Sequence, residues 1–169
     1  MRTLYLLRHA KSSWDHPALS DHERPLTPRG RRAARRIADH LVQLGIEPEL
    51  VLCSTAVRTR STLELVRPAL GGNSTVTLDD ALYAASSGEL LDRIRRVRDE
   101  VASVMLIAHN PGLQRLALVL ASSGEELPRL EDKFPTAALA TLAVPETTWS
   151  RLDPGGAFLT AYVVPKELG

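Results

Sequence analysis

Three places in this 169-residue chain set an apolar run directly against ionisable residues. They are Leu7-Arg8-His9-Ala10, Cys53-Ser54-Thr55-Ala56-Val57-Arg58 and Ile107-Ala108-His109-Asn110-Pro111-Gly112. A cation or an imidazole is expensive to bury, so such a run either stops at the surface or delivers the group into a cleft. One such ending is ordinary surface; three of the same kind form a pattern. The guanidiniums of Arg8 and Arg58 offer planar, permanently charged forks that match phosphate oxygens. Helix N-termini after Ser54 and Asn110 would add free backbone N–H groups. An imidazole beside fixed cations loses its protonated form, which keeps His9 or His109 neutral and nucleophilic near pH 7. One histidine can then attack phosphorus while the other, or an arginine, stabilises charge on the equatorial oxygens. His16 and His22, in a polar loop, and His40, on a helix, read as solvated side chains.

These residues need elements to hold them. Thr3–Leu7 is a short apolar run suited to a buried strand. The polar segment Trp14–Leu26, with Pro17 and Pro25, reads as a loop. Thr27-Pro28 then gives an N-cap and a first-position proline, opening a helix to about Leu44 that stops at Gly45. Ala34, Ile37, Leu41 and Leu44 form its predicted buried face, and Arg31, Arg32, Arg35 and Arg36 its solvated face. A strand over Glu49–Cys53 follows, then Ser54-Thr55 as caps and a helix from Ala56 to Val66. A weak strand over Thr75–Leu78 precedes a helix over Gly88–Glu100, with Leu90, Leu91, Ile94 and Val97 inward. Ser103–Ala108 is the third clear buried strand, and Asn110-Pro111 repeats the cap-and-proline signal for a helix through Leu120. A charged loop with Pro128 and Pro135 leads to two late strands, Ala138–Val144 and Ala157–Val164. Strands alternating with helices predict an α/β three-layer sandwich, its central sheet mostly parallel with an antiparallel edge. No repeat or linker divides the chain, so residues 1–169 are expected to form a single domain.

Composition narrows the function classes. A net charge of +1 gives no general pull toward nucleic acid or an acidic membrane, and aromatics at 4% leave little for stacking bases. The single cysteine, Cys53, sits in an apolar run and reads as core, which leaves no internal disulfide and no cysteine-rich metal site. No apolar stretch approaches the roughly 20 residues that span a bilayer. The N-terminus enters a strand pattern at once, without the features of a secretory leader. The expected setting is reducing and cytoplasmic, and the expected state a monomer.

"LRHAKSSW", then "STAVRT" about fifty residues on, then "AHNPG", together resemble the histidine phosphatase superfamily, which includes the cofactor-dependent phosphoglycerate mutases. The compact length, "ERPLTPRG" and "ALYAAS" are similar to its short branch, the SixA-like phosphohistidine phosphatases. The match runs from Leu4 to about Leu120. The resemblance implies that His9 is the nucleophile that becomes phosphorylated, with Arg8 and Arg58 as phosphate ligands and His109 as the second histidine on the phosphoryl group. Ser12 and Trp14 keep the Ser-x-Trp spacing of many members, which makes Ser12 a further phosphate contact. Ala10 replaces the family's usual glycine, and Asp15 stands where mutase-like members often carry asparagine. The general acid stays open among Asp80, Asp21 and Asp15, each of which also reads as a surface or capping carboxylate.

The open acid bears on the substrate. An alkoxide leaves poorly and gains on the order of a hundredfold or more from a proton donor. The imidazole released from phosphohistidine is a far weaker base, with a reference pKa of about 6.5, and manages with a weak acid or none. The expected activity is therefore metal-independent and cofactor-free hydrolysis of phosphohistidine on a protein, through a phosphohistidine enzyme intermediate. A small-molecule phosphomonoesterase and a catalytically weak phosphate-binding regulatory module are the alternatives.

Overall fold

The apolar runs become strands, and their alternation decides what each face of the sheet covers. The computed structural model describes residues 1–168. In chain order the elements are β1 (Arg2–Arg8), α1 (Pro28–Leu44), β2 (Leu50–Ser54), α2 (Val57–Val66), β3 (Thr75–Asp79), α3 (Ser87–Arg95), β4 (Ser103–Ala108), α4 (Gly112–Leu120), α5 (Leu127–Asp132), β5 (Leu139–Val144) and β6 (Phe158–Val163). They build one six-stranded sheet in the order β3-β2-β4-β1-β5-β6. The pairs β1–β4, β2–β4 and β2–β3 are parallel, while β5 runs antiparallel to β1 and β6 antiparallel to β5. The antiparallel edge is therefore two strands wide.

Successive residues point to opposite faces of a strand, so β1 and β4 feed two cores. Leu4, Leu6, Val104 and Leu106 pack with α3 and α4 on one face, joined by Phe134 and Trp149. Leu7, Met105, Ile107, Val51 and Cys53 pack with α1 and α2 on the other. Both faces are covered, which gives the three layers and explains the unbroken apolar runs. Cys53 lies in this core, where burial pushes its thiol up to about 12. Each large side chain buried this way contributes ~1.5–3 kcal/mol. Among the described residues no helix is long and apolar enough to cross a membrane.

Helix ends show where local signals were overridden. Thr27 caps α1 by accepting from the Gly30 amide, and Gly45 ends it in the left-handed region at φ 63°. Leu44, expected inward, is exposed, and Gly30 is buried in the first turn instead. An added Cβ at Gly30 would lie 2.3 Å from the Lys11 carbonyl oxygen, so only glycine lets the His9 loop rest on α1. Helix α3 stops at Arg95 rather than Glu100, because Val97 turns into the core while Arg98, Asp99 and Glu100 form an exposed turn. Asn110 is not the N-cap of α4: Pro111 holds that position, and the Asn110 side chain bonds the Gln114 amide and the Phe134 carbonyl. Helix α5 lies inside the expected charged loop, with Pro128 in its first turn and Leu130 buried.

Candidate active site

Parallel pairing brings the carboxyl ends of β1, β4 and β2 level, with Arg8 opposite Ala108 and Cys53 opposite Ile107. The residues just past those pairs, His9 and His109, therefore share the crevice beyond the strand ends, where open α/β sheets bind ligands. Their ring centroids are 5.2 Å apart and both are buried. His9 Nδ1 lies 2.7 Å from the Ala10 carbonyl oxygen. A carbonyl can only accept, so Nδ1 carries the proton and Nε2 keeps its lone pair. Burial, reinforced by His109, Arg58 and Arg8, lowers His9 to about 3 against the opposing Ala10 bond. Burial and then Arg58 lower His109 to about 4. Both imidazoles are neutral at physiological pH.

The loop holding His9 is tightly braced. The Ala10 amide donates to Thr62 Oγ1 on α2, and the Ala137 amide donates to the His9 carbonyl. Ala137 holds a left-handed φ of 61°, strain of the sort that surrounding structure must enforce. Ala10 has no left-handed backbone, so the position tolerates its methyl group in full burial.

Ser54 and Thr55, expected as caps of α2, reach across the crevice instead. Ser54 Oγ sits 2.7 Å from His109 Nε2. Thr55 Oγ1 donates to Asp80 Oδ1 at 2.5 Å and lies 3.0 Å from His22 Nε2. Arg58, in the first turn of α2, donates to the Asp21 carbonyl at 2.7 Å and to Asp21 Oδ2 at 3.0 Å. Arg8 donates from Nη1 to the Phe134 carbonyl at 3.1 Å. Among the described residues, the buried side-chain polar atoms without a partner are Arg2 Nε, Arg8 Nε and His109 Nδ1. Two of these three belong to the crevice, and orphaned polar atoms there call for a ligand to satisfy them.

The three candidate acids have different surroundings. Asp21 accepts from Arg58, from Arg24 Nη1 at 2.8 Å and from the Tyr83 hydroxyl at 2.6 Å. Those bonds, the tyrosine's foremost, hold its carboxyl well below the usual carboxylate range. Asp80 takes the Thr55 hydroxyl at the rim, and Asp15 is exposed. Ser12 is buried, but its Oγ accepts from Arg24 Nη2.

Sequence reasoning missed Arg24, Tyr83 and His22. Arg24 is buried in the polar loop, donates to the Ser13 carbonyl at 3.0 Å and stacks its guanidinium under the exposed Trp14 ring, 3.3 Å from the centroid. The Tyr83 ring meets His109 and His22 edge-on, at centroid distances of 5.5 and 4.8 Å. His22 is therefore part of the rim rather than a free loop side chain. The "ERPL" and "ALYA" segments carried the signal, but only as resemblance. Asp21, Arg58, Tyr83, His109 and Arg115 line a cleft of about 380 Å³ that opens between the crevice and the start of α3.

Neutral Nε2, two guanidiniums and a second neutral imidazole suit attack on a phosphoryl group more than proton abstraction from carbon. Among the described residues no group of three or more His, Cys, Asp or Glu is placed to hold a metal ion.

Comparison with known proteins agrees with this reading. The family model for the histidine phosphatase superfamily (branch 1) matches residues 4–128. The chain is 37% identical over 164 residues to the protein Rv1276c of Mycobacterium tuberculosis, covering 95% of this chain and all of the relative. Among solved structures, the protein histidine phosphatase SixA complexed with tungstate superposes with a TM-score of 0.80 at 28% identity, over 99% of both chains. A provisionally assigned phosphohistidine phosphatase SixA from Nakamurella multipartitia gives 0.81 at 31% identity, over 97% of this chain and 96% of that one. The chain belongs to the histidine phosphatase superfamily, in its SixA-like branch.

Proposed function

We propose that the protein hydrolyses phosphohistidine on another protein through a covalent phospho-His9 intermediate, without a metal. The observation that carries this reading is the state of His9: Nδ1–H is tied to the Ala10 carbonyl, and the ring is buried and neutral, so Nε2 is a ready nucleophile. In the first step Nε2 forms a bond to phosphorus while the P–N bond to the substrate imidazole breaks, and the departing nitrogen takes a proton from solvent. In the second step water attacks phosphorus, the P–Nε2 bond breaks and orthophosphate leaves. Arg8 and Arg58 bind the phosphoryl oxygens throughout. If the Ser54 hydroxyl donates to His109 Nε2, the imidazole proton sits on the unpartnered Nδ1, free to bond a phosphoryl oxygen. Positioning and fixed charge carry most of the catalysis, as in phosphoryl transfer generally.

Asp21 anchors the arginines in this scheme and is not the acid, because its bonds to Arg58, Arg24 and Tyr83 keep it ionised. Ser12 contributes through Arg24. A protein substrate agrees with the names of the SixA structures and with a weakly basic leaving group that needs no dedicated acid. Hydrolysis of a small phosphate ester is the second reading, favoured by the cleft of about 380 Å³ with Arg115 on its wall. Side-by-side kinetics on a phosphohistidine peptide and a panel of sugar and nucleotide phosphates separate the two. A kcat/KM higher for the peptide is expected, and one higher for an ester overturns the substrate assignment.

A further inference from the structure

A second depression, about 500 Å³, lies beside the catalytic loop and plays no part in the chemistry above. Its charged lining is Lys11, Arg29, Arg36, Arg129, Lys133 and Lys166, opposed only by Asp132 and Glu167. That is an excess of four positive charges in one groove, on a chain whose net charge is +1. Arg129 is already occupied by Glu126 and Glu167. Among the described residues the other five cations form no salt bridge. The floor is apolar, from buried Tyr162, Val164 and Pro165, and the Tyr162 hydroxyl fixes the wall by donating to the Lys133 carbonyl at 2.6 Å.

The groove begins where the catalytic loop ends. Lys11 is two residues beyond His9, and Thr136, which also lines the groove, precedes Ala137, whose amide donates to the His9 carbonyl. The backbone of Lys11 rests on Gly30 without room for a Cβ, so the first turn of α1 and the catalytic loop hold a fixed relation. The cations come from the loop after β1, from α1, from the α5–β5 connection and from the C-terminal turn, and all five unpaired ones are exposed. They belong to four separate segments of the chain, and none of them is buried. A compact anion is held by buried donors; several exposed, unpaired cations from separate segments over an apolar floor suit an extended chain bearing several carboxylates.

We propose that this groove docks an acidic segment of the phosphorylated protein, flanking the histidine presented to His9. The proposal rests on the protein-phosphohistidine reading and adds the feature by which a protein would be chosen. It also places Arg36, one of the helix arginines, in recognition of the substrate.

The test compares two phosphohistidine peptides of equal length, one extended by six glutamates and one by six serines, in the wild type and in a Lys11→Glu/Lys133→Glu/Lys166→Glu variant. In the wild type the glutamate extension is expected to lower KM on the order of tenfold at low salt with kcat little changed, and the advantage is expected to vanish near about 0.5 M salt. In the variant, whose thermal melt confirms its fold, the ratio of the two KM values is expected to fall to about one. Equal KM values in the wild type, or a preference that survives charge reversal, overturn the proposal. Should the variant not fold, the salt dependence in the wild type decides alone. A fluorescein-labelled hexaglutamate peptide, followed by anisotropy, reads the groove without turnover. Tight, salt-sensitive binding with no hydrolysis of either phosphohistidine peptide would sink the functional reading while sparing the groove, and active enzyme that does not bind the probe would do the reverse.

Discussion

Asp21→Asn separates an anchoring carboxylate from a general acid. In the native protein Asp21 Oδ2 receives Arg58 Nη2 at 3.0 Å and the Tyr83 hydroxyl at 2.6 Å, and Oδ1 receives Arg24 Nη1 at 2.8 Å. Asparagine removes the charge and turns one acceptor into an NH2 group that faces a guanidinium. A hydrogen bond to a charged group contributes ~1.5–3 kcal/mol when protected from water. The Asp21 side chain is 48% exposed, so each bond is discounted to about 0.5–1 kcal/mol. Arg58 also keeps its 2.7 Å bond to the Asp21 carbonyl, which the substitution leaves intact. Two weakened arginines then give about 1–2 kcal/mol, or roughly 5–30-fold in kcat/KM. The same loss is expected for a phosphohistidine peptide and for an alkyl phosphate ester, because both use the arginines in the same way. Removing a general acid would instead cost ~10²–10⁴-fold on the ester, spare the phosphohistidine and abolish the alkaline limb of the ester's pH profile. The assay is kcat/KM against pH on both substrates, and an ester-selective loss above a hundredfold refutes the anchoring role.

Three further outcomes follow from the geometry. Ser54→Ala removes the 2.7 Å partner of His109 and is expected to cost ~1–2 kcal/mol, read as a roughly 5–30-fold fall in kcat with phosphate inhibition little changed; unaltered kcat would show that His109 holds its orientation without Ser54. Gly112→Ala places a Cβ 2.3 Å from the Ala85 carbonyl oxygen, where α4 meets the turn before α3, and is expected to destabilise by ~1–3 kcal/mol in urea melts, whereas a wild-type midpoint would show that the contact relaxes freely. His9 and His109 are held at about 3 and about 4 in the fold, while histidine in an unfolded chain titrates near ~6.5. The unfolded chain thus binds more protons below that point, so stability is expected to fall as pH drops from about 6.5 toward 4, by up to ~1.4 kcal/mol per pH unit per histidine, and His9→Asn to flatten the slope; an equal slope contradicts it.

The sequence disclosed the strand ends better than what surrounds them. Thr3–Leu7 and Ser103–Ala108 were readable because strands covered on both faces run apolar on both after their first residue, and their ends fell within a residue of the observed β1 and β4. That precision was enough to bring Arg8, His9, Arg58 and His109 into one crevice, since adjacent parallel strands carry their C-terminal residues to the same edge. Asp21 was legible only as one of three candidate acids and Arg24 and Tyr83 only as loop residues, because Tyr83 meets Asp21 across 62 positions and nothing local encodes that pairing. Ser54 and Thr55 were read as caps on propensity, which a better-placed partner, His109 for one and Asp80 for the other, overrode. Helix α5 went unseen because six residues with one buried leucine carry too little periodicity.

In the proposed mechanism phosphorus passes through His9. Rapid mixing with a 32P-labelled phosphohistidine protein, quenching within milliseconds and mapping the label by mass spectrometry tests it directly. The expected result is an acid-labile, alkali-stable phosphoryl group on His9 Nε2 that forms and decays at rates consistent with kcat, and no label or turnover in His9→Ala. Wild-type turnover by His9→Ala, or a kinetically competent label on any other residue, would contradict it.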